Sequence, residues 1–282
     1  GDKEVVWPED PLERLALENS MPLWLAGKLE AHYGSELTRQ MLEYRPQRRG
    51  MVLRPNLTRY TDEQFRQLLE RKVWEVTPGH VPHAWYASGV MQLSRDRDYQ
   101  AGAFSVQGEA SMVCTALTGV RSGMQVLDCC AAPGGKTAYM AEMMQGTGRV
   151  YALDVHPHRV ALLEAAVRRL QLDNVRPQLC DATHFKEDWT ERFDVCLLDA
   201  PCTGLGEWHE KPDIRYGITE ESLESLTKTQ AVLLDNCARY VKRGGTLVYA
   251  TCSILPEENL DQLRAFLDRH PEYAPEPIPT DI

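Results

Sequence analysis

Two rhythms of apolar and polar positions divide the chain. From about residue 103 onward, short runs rich in aliphatic and β-branched residues recur: QVLDCC (125–130), RVYALD (149–154), RPQLCD (176–181), FDVCLLD (193–199) and TLVYAT (246–251). Between them lie stretches whose apolar residues return every three to four positions, as in Leu223, Leu226, Leu233, Leu234, Cys237 and Val241. Continuous apolar runs predict buried parallel strands, and the 3.6-residue period predicts the helices that cover them. Helices are expected from AAPGGKT to about Met144, from about His158 to Leu170, over the Leu223–Val241 stretch, and from Pro256. Gly244-Gly245 reads as the turn before the last strand.

The first hundred residues follow a different pattern. Residues 1–48 read as a helical linker, with Ser20 as a cap, Pro22 in the first turn and Gly34 as a stop. MVLRPN (51–56) reads as a short strand. Thr61 and Gln64 form a capping box opening a helix that places Phe65, Leu68, Leu69 and Val73 on one face. Pro78, Gly79, Pro82 and Gly89 break 76–100 into short strands and turns. The expected organisation is a helical segment to 48, a small α/β unit over 49–102, and an α/β domain with a parallel Rossmann-like sheet over 103–282.

Composition narrows the class. With 282 residues, 43% hydrophobic and 26% charged, the chain is too apolar for a disordered protein and long enough to bury a full core. It contains no apolar run of membrane-spanning length, and its acidic, polar start is unlike a signal peptide. None of the eight cysteines is spaced Cys-x-x-Cys, which argues against a zinc ribbon or a thioredoxin-like pair, and no metal site is expected. Thiols inside apolar runs point to a reducing, cytoplasmic setting. The net charge of −10 excludes nucleic-acid binding by bulk charge alone. One basic cluster runs against it: Arg39, Arg45, Arg48, Arg49, Arg54 and Arg59, with Glu43 as the lone acid. A solvated charged face is the plainer reading of that cluster.

Ligands of parallel sheets bind at the carboxyl ends of the strands. Three predicted strands here end in an acid, Asp154, Asp181 and Asp199, and the first carries Asp128 into Ala131-Ala132-Pro133-Gly134-Gly135. Small residues let a ligand approach the backbone, and Asp154 follows Gly134 by the 20 residues at which an acid meets a ribose. Neither Gly-x-Gly-x-x-Gly nor a full phosphate loop is present, which favours a nucleoside cofactor without pyrophosphate; S-adenosylmethionine fits. Just past two strands stand Cys202, in DAPC, and Cys252, in ATCS. Either alone reads as a buried structural thiol; both beside one cofactor loop read as reactive.

LDCCAAPGGKT, DAPCTGLG with KPDIRY, and VYATCSILPEEN, together with FSVQGEAS and WLAGKLEAHYG upstream, resemble the Nop/Sun family of RNA cytosine-C5 methyltransferases, in particular its bacterial small-subunit rRNA branch of the Sun (Fmu) type. The resemblance covers nearly the whole chain. It implies that Cys252 adds to C6 of a cytosine, that Cys202 helps release the product, and that Asp199, as a protonated carboxyl, hydrogen-bonds the base near N3. Lys136 is the expected cation for the Cys252 thiolate. The implied cofactor contacts are Cys130, Ala131, Ala132, Pro133, Gly134, Gly135 and Lys136, with Asp154, Arg159, Asp181 and Asp199. RNA phosphates are expected on Arg45, Arg48, Arg49 and Arg54. Trp74, Trp85 and Tyr86 suit either base stacking or, more ordinarily, core packing. The implied partner is small-subunit rRNA and the implied chain a monomer, with no membrane.

The chain departs from the family pattern in three respects. His209 and Glu210 stand where a basic pair is usual, the family's N-terminal RNA-binding helical domain is absent, and the last strands of a seven-stranded sheet have little sequence left. Two rivals stay open: a DNA cytosine methyltransferase, in which Cys202 would be the nucleophile, and a non-catalytic module that binds S-adenosylmethionine and RNA.

Overall fold

The computed structural model describes residues 7–46 and 50–278. Among the described residues, nine strands form two sheets. In the smaller, β1 (Met51–Pro55) lies between β3 (Trp85–Ser88) and β4 (Phe104–Val106), and β2 (Glu75–Pro78) borders β3; every pairing is antiparallel. Helices Asp62–Leu69 and Arg97–Gln100 complete a β-α-β-β-α-β path of ferredoxin-like topology. Its last strand falls beyond residue 102, the boundary expected from sequence. The Thr61–Gln64 capping box is formed in both directions. Phe65, Leu68 and Leu69 are buried with Leu53 and Phe104. Val73 is not on that face: the helix ends at Leu69 and Val73 is 98% exposed.

The larger sheet is parallel, in the order β7-β6-β5-β8-β9: Val175–Leu179, Arg149–Asp154, Gln125–Asp128, Phe193–Asp199 and Val241–Ala250. Val126, Leu127, Leu153, Val195, Leu197 and Leu198 are almost wholly buried, as central parallel strands require. Burying such a side chain stabilises by about 1.5–3 kcal/mol. Gly244 and Gly245 lie within β9 rather than before it. Gly244 has φ 75°, a Cβ on Gly245 would stand 2.7 Å from the Asp194 carbonyl oxygen, and the ladder shifts register between Phe193 and Val195. The glycines therefore make an irregularity inside the strand.

Two compact units divide the chain. One holds both sheets: the described parts of Arg48–Pro201 and Phe266–Ile282, with Ala231–Ala250. The other joins the described part of Gly1–Gln47 with Cys202–Gln230 and Thr251–Ala265. Its core gathers Leu25, Leu29 and Leu42 with Leu205, Trp208 and Leu255, so the helical segment packs against distant parts of the chain. Helix Leu23–Glu43 kinks at Gly34 (φ 76°). Ser20 does not cap it: Ser20 has φ 52° just after helix Pro11–Glu18, and the next helix starts behind Pro22 with no side-chain cap. No helix among the described residues is long and apolar enough to cross a membrane.

Candidate active site

In the two-sheet unit, β5 ends at Asp128 and the chain turns through 129–134 into helix Gly135–Met143. Gly134 is needed there. Its φ is 108°, and a Cβ would come 2.7 Å from Leu163 Cδ1. The Ala131 amide donates to the Leu153 carbonyl (2.8 Å), and Arg159 Nη2 donates to the Ala132 carbonyl (2.6 Å). The loop borders a cavity of about 180 Å³, lined by Cys130, Ala131, Ala132, Pro133, Gly135, Lys136, Asp128 and Asp199, and by Gln107, Gly108 and Ser111.

Electrostatics single out Asp128. Its Oδ2 accepts from Thr137 Oγ1 at 2.6 Å, while its buried Oδ1 has no hydrogen-bond partner. Burial pushes its pKa up to about 7, against the Thr137 hydrogen bond and helped by the Asp199 charge. Asp199 itself accepts from Lys136 Nζ at 2.6 Å. Burial works against the Lys136 ammonium, yet its pairing with Asp199 holds it above its ordinary value. Asp128 is thus a raised carboxyl of this site, and Asp199 pairs with Lys136.

The lining suits a cationic nucleoside: two carboxyl side chains, Asp128 and Asp199, border the cavity beside a glycine turn. The expected S-adenosylmethionine contacts divide accordingly. Cys130 to Pro133, Gly135, Lys136 and Asp199 line the cavity, and Gly134 turns the loop beneath it. Asp154 is buried behind the loop, accepting from the His156 amide (3.0 Å) with Arg159 at 3.5 Å, and Arg159 braces the loop. Asp181 is not brought to the cavity; Thr183 binds it by amide and hydroxyl (2.9 and 2.7 Å) and holds its pKa down. Sequence reasoning does not assign Gln107, Gly108 or Ser111, although FSVQGEAS carried the signal.

A pH experiment tests Asp128. Between about pH 4 and 7 the native state keeps a proton that the unfolded chain releases. Asp128 therefore contributes stability at low pH that is lost as pH rises through 7, on the order of 4 kcal/mol in all. Asp128→Asn should flatten the decline of urea-unfolding stability between pH 4.5 and 8. Parallel curves for the two proteins would refute this origin.

The other unit holds the thiol pair. Cys202 and Cys252 bring their sulfurs to 3.3 Å. Their backbone is fixed by a dense set of bonds. The Gly206 amide donates to the Cys252 carbonyl at 2.8 Å, the distance at which a Cβ on Gly206 would also meet that oxygen. Thr203 donates to Glu258 from its amide (2.8 Å) and hydroxyl (2.6 Å). Thr251 Oγ1 donates to Asn259 Oδ1 (2.6 Å), and Asn259 Nδ2 reaches the Ser253 and Leu255 carbonyls. The bond with Cys252, and then burial, push the Cys202 thiol well up. Lys211, bound to Glu207 at 2.6 Å, also feels the Cys252 charge. It is a cation of this unit close enough to couple to the thiol, and sequence reasoning does not select it.

Cys252 is the one exposed cysteine of the eight. Cys129, Cys196 and Cys237 are buried with their sulfurs together in the core, where burial and the neighbouring Cys129 drive Cys196 well up. Under native conditions, iodoacetamide should therefore label Cys252 first, at least tenfold faster than any other thiol. Peptide mapping checks this, and equal labelling of Cys202 or Cys180 would contradict it.

The basic cluster does not survive as a set. Arg54 is fully buried and bound to Glu142 and Gln107, so its assignment to RNA phosphate is corrected: β1 points its side chain into the core. Arg48 and Arg49 lie outside the described residues. Arg45 donates to the Leu42 and Tyr44 carbonyls and to Asn19 Oδ1. Trp74 and Trp85 pack on Phe104 and Phe65, and Tyr86 is bound to Glu109.

Comparisons with known proteins agree with this architecture. The family described as 16S rRNA methyltransferase RsmB/F matches residues 115–281, and a RsmF/B-like ferredoxin-like domain matches 21–90. The probable ribosomal RNA small subunit methyltransferase B of Bacillus subtilis is 34% identical over 269 residues, 95% of this chain and 60% of the relative. The chain spans about 60% of the length of such curated relatives. The crystal structure of PH0851 superposes with a TM-score of 0.90 at 32% identity, covering 99% of this chain and 63% of that one. A methyltransferase homolog from Pyrococcus horikoshii gives 0.80 at 28%, covering 92% and 83%.

Proposed function

Since the chain belongs to the 16S rRNA methyltransferase RsmB/F family, we propose that it methylates C5 of a cytosine in small-subunit rRNA, in the cytoplasm, with S-adenosylmethionine as donor. The observation that carries this reading is the thiol pair: two sulfurs 3.3 Å apart, one exposed, each on a backbone fixed by hydrogen bonds. Cytosine C5 is a poor nucleophile until something adds at C6. The Cys252 thiolate, favoured by Lys211, forms the sulfur–C6 bond and makes C5 electron-rich. The cofactor supplies an electrophilic methyl group. Cys202 then assists removal of the C5 proton, whose electron pair re-forms the C5–C6 double bond as the bond to Cys252 breaks.

The cavity residues divide the remaining work. Asp128 offers its unpartnered oxygen to the cofactor, the 131–135 backbone gives it close approach, and Arg159 keeps that backbone in place. In the two-sheet unit, the Asp199–Lys136 pair offers an acceptor and a donor together. A target base must leave its stack to be reached.

Methyl-labelled S-adenosylmethionine and undermodified small-subunit rRNA, digested to nucleosides, test the reading. Label in 5-methylcytidine is expected. Label in another nucleoside, or RNA that is bound but never methylated, would overturn it.

A further inference from the structure

The unit that carries the thiols also carries a groove of about 310 Å³ that the reaction above does not use. Leu37, Met41 and Ile254 make it apolar, and Tyr44, Trp208 and His209 make it aromatic. Tyr44 and His209 meet edge to face with ring centres 5.4 Å apart, and His209 lies 5.2 Å from the Trp208 ring. Tyr44 is 59% exposed, so one ring edge is open to a visitor.

Charge says what kind of visitor. Arg45 and Arg215 both act on His209, which burial and these two guanidinium groups hold below its ordinary pKa. Their hydrogen bonds go to carbonyl and amide oxygens: Arg45 to Leu42, Tyr44 and Asn19, and Arg215 Nη1 to the Asn19 carbonyl at 2.8 Å. Neither forms an ion pair with a carboxylate among the described residues, and the buried Nε of Arg215 has no partner. The groove therefore has an aromatic wall, and near His209 stand two guanidinium groups that no carboxylate pairs among the described residues. It also continues to the nucleophile: Ile254 stands two residues beyond Cys252, and Gly206, another lining residue, donates its amide to the Cys252 carbonyl.

We propose that this groove is a nucleotide subsite, which takes one base of single-stranded RNA next to the target cytosine and sets that nucleotide's phosphate on Arg45 and Arg215. The inference rests on the RNA-methyltransferase reading. It also gives a role to His209, whose ring stands beside those of Tyr44 and Trp208 as a stacking surface.

The test uses the full chain and small-subunit rRNA substituted with 4-thiouridine. Irradiation followed by peptide mapping should place cross-links on Tyr44 or His209. The Tyr44→Ala/His209→Ala variant should lose them and raise KM for RNA between about fivefold and a hundredfold, the effect of losing one stacked base. S-adenosylmethionine affinity should not change, and Tyr44→Phe should restore most of the RNA affinity. Cross-links confined to other peptides while methylation proceeds would overturn the subsite and leave the methyltransferase reading standing. RNA neither bound nor methylated would overturn both. Mapping on the unsubstituted chain decides even if the double variant fails to fold.

Discussion

Replacing Cys252 with alanine should abolish methyl transfer, by about 10⁴-fold or more, whereas Cys202→Ala should hold the protein on its RNA. The two losses differ because the two sulfurs, 3.3 Å apart, are asked for different steps. Without Cys252 nothing adds to C6, and C5 stays inert. Without Cys202 addition and methyl transfer still proceed, and the adduct waits for a base. Labelled RNA that migrates with the Cys202→Ala protein on a denaturing gel, and not with Cys252→Ala, is the expected pattern. The reverse pattern would make Cys202 the nucleophile and favour the DNA-type order of events. Retained turnover in Cys252→Ala would remove the covalent route altogether.

The second large effect concerns stability. Arg54→Ala should destabilise the chain by about 3–5 kcal/mol, equivalent to roughly 6–20 °C in melting temperature. Arg54 joins the small sheet to helix Gly135–Met143. Both its Nη atoms bind the Glu142 carboxylate, Nε donates to Gln107 at 2.8 Å, and the guanidinium lies 4.2 Å from the Tyr139 ring centre. Both charged side chains are fully buried. Removing the arginine strands a carboxylate in the core, and the cost is that of the stranded charge more than of the lost attraction. Arg54→Met/Glu142→Leu should therefore recover most of the loss, while Arg54→Lys, which cannot span three acceptors, should not. Urea unfolding measures all three. A loss below about 1 kcal/mol for Arg54→Ala would contradict a closed ion pair. A change in the salt dependence of RNA binding without a loss of stability would return Arg54 to the surface.

Arg54 also marks where the sequence stops being legible. The strand MVLRPN was readable from its composition, but a single arginine within it gives no sign of which way it points. Only the partner 88 residues later, Glu142, decides that. The cofactor loop was readable because its constraint is local: AAPGG must turn sharply into a helix, and small residues are the only means. The same holds for the Thr61–Gln64 capping box, closed within four residues. The raised pKa of Asp128 was not readable, because burial is set by how two layers meet. Lys211 and the groove at His209 were hidden for a related reason: their neighbours come from three separate stretches of chain. Ser20 failed as a cap although its residue type suits one, because the end of the preceding helix forces it into the left-handed region before the next can begin.

Those three stretches have a consequence for biosynthesis. Every residue lining the cofactor cavity lies between Val106 and Asp199. The unit that bears the thiols needs the start of the chain, Cys202–Gln230 and Thr251–Ala265 together, contacts of very long sequence separation that form late. On a ribosome reading from the amino end, all the cavity-lining residues have been made before either cysteine of the pair is attached, and Cys252, the proposed nucleophile, is the later of the two. Until about residue 265 has emerged, the nascent chain lacks part of what closes around its own first helices. An interrupted chain that ends between Cys202 and Cys252 thus holds every residue that lines the cavity, but only one cysteine of the pair.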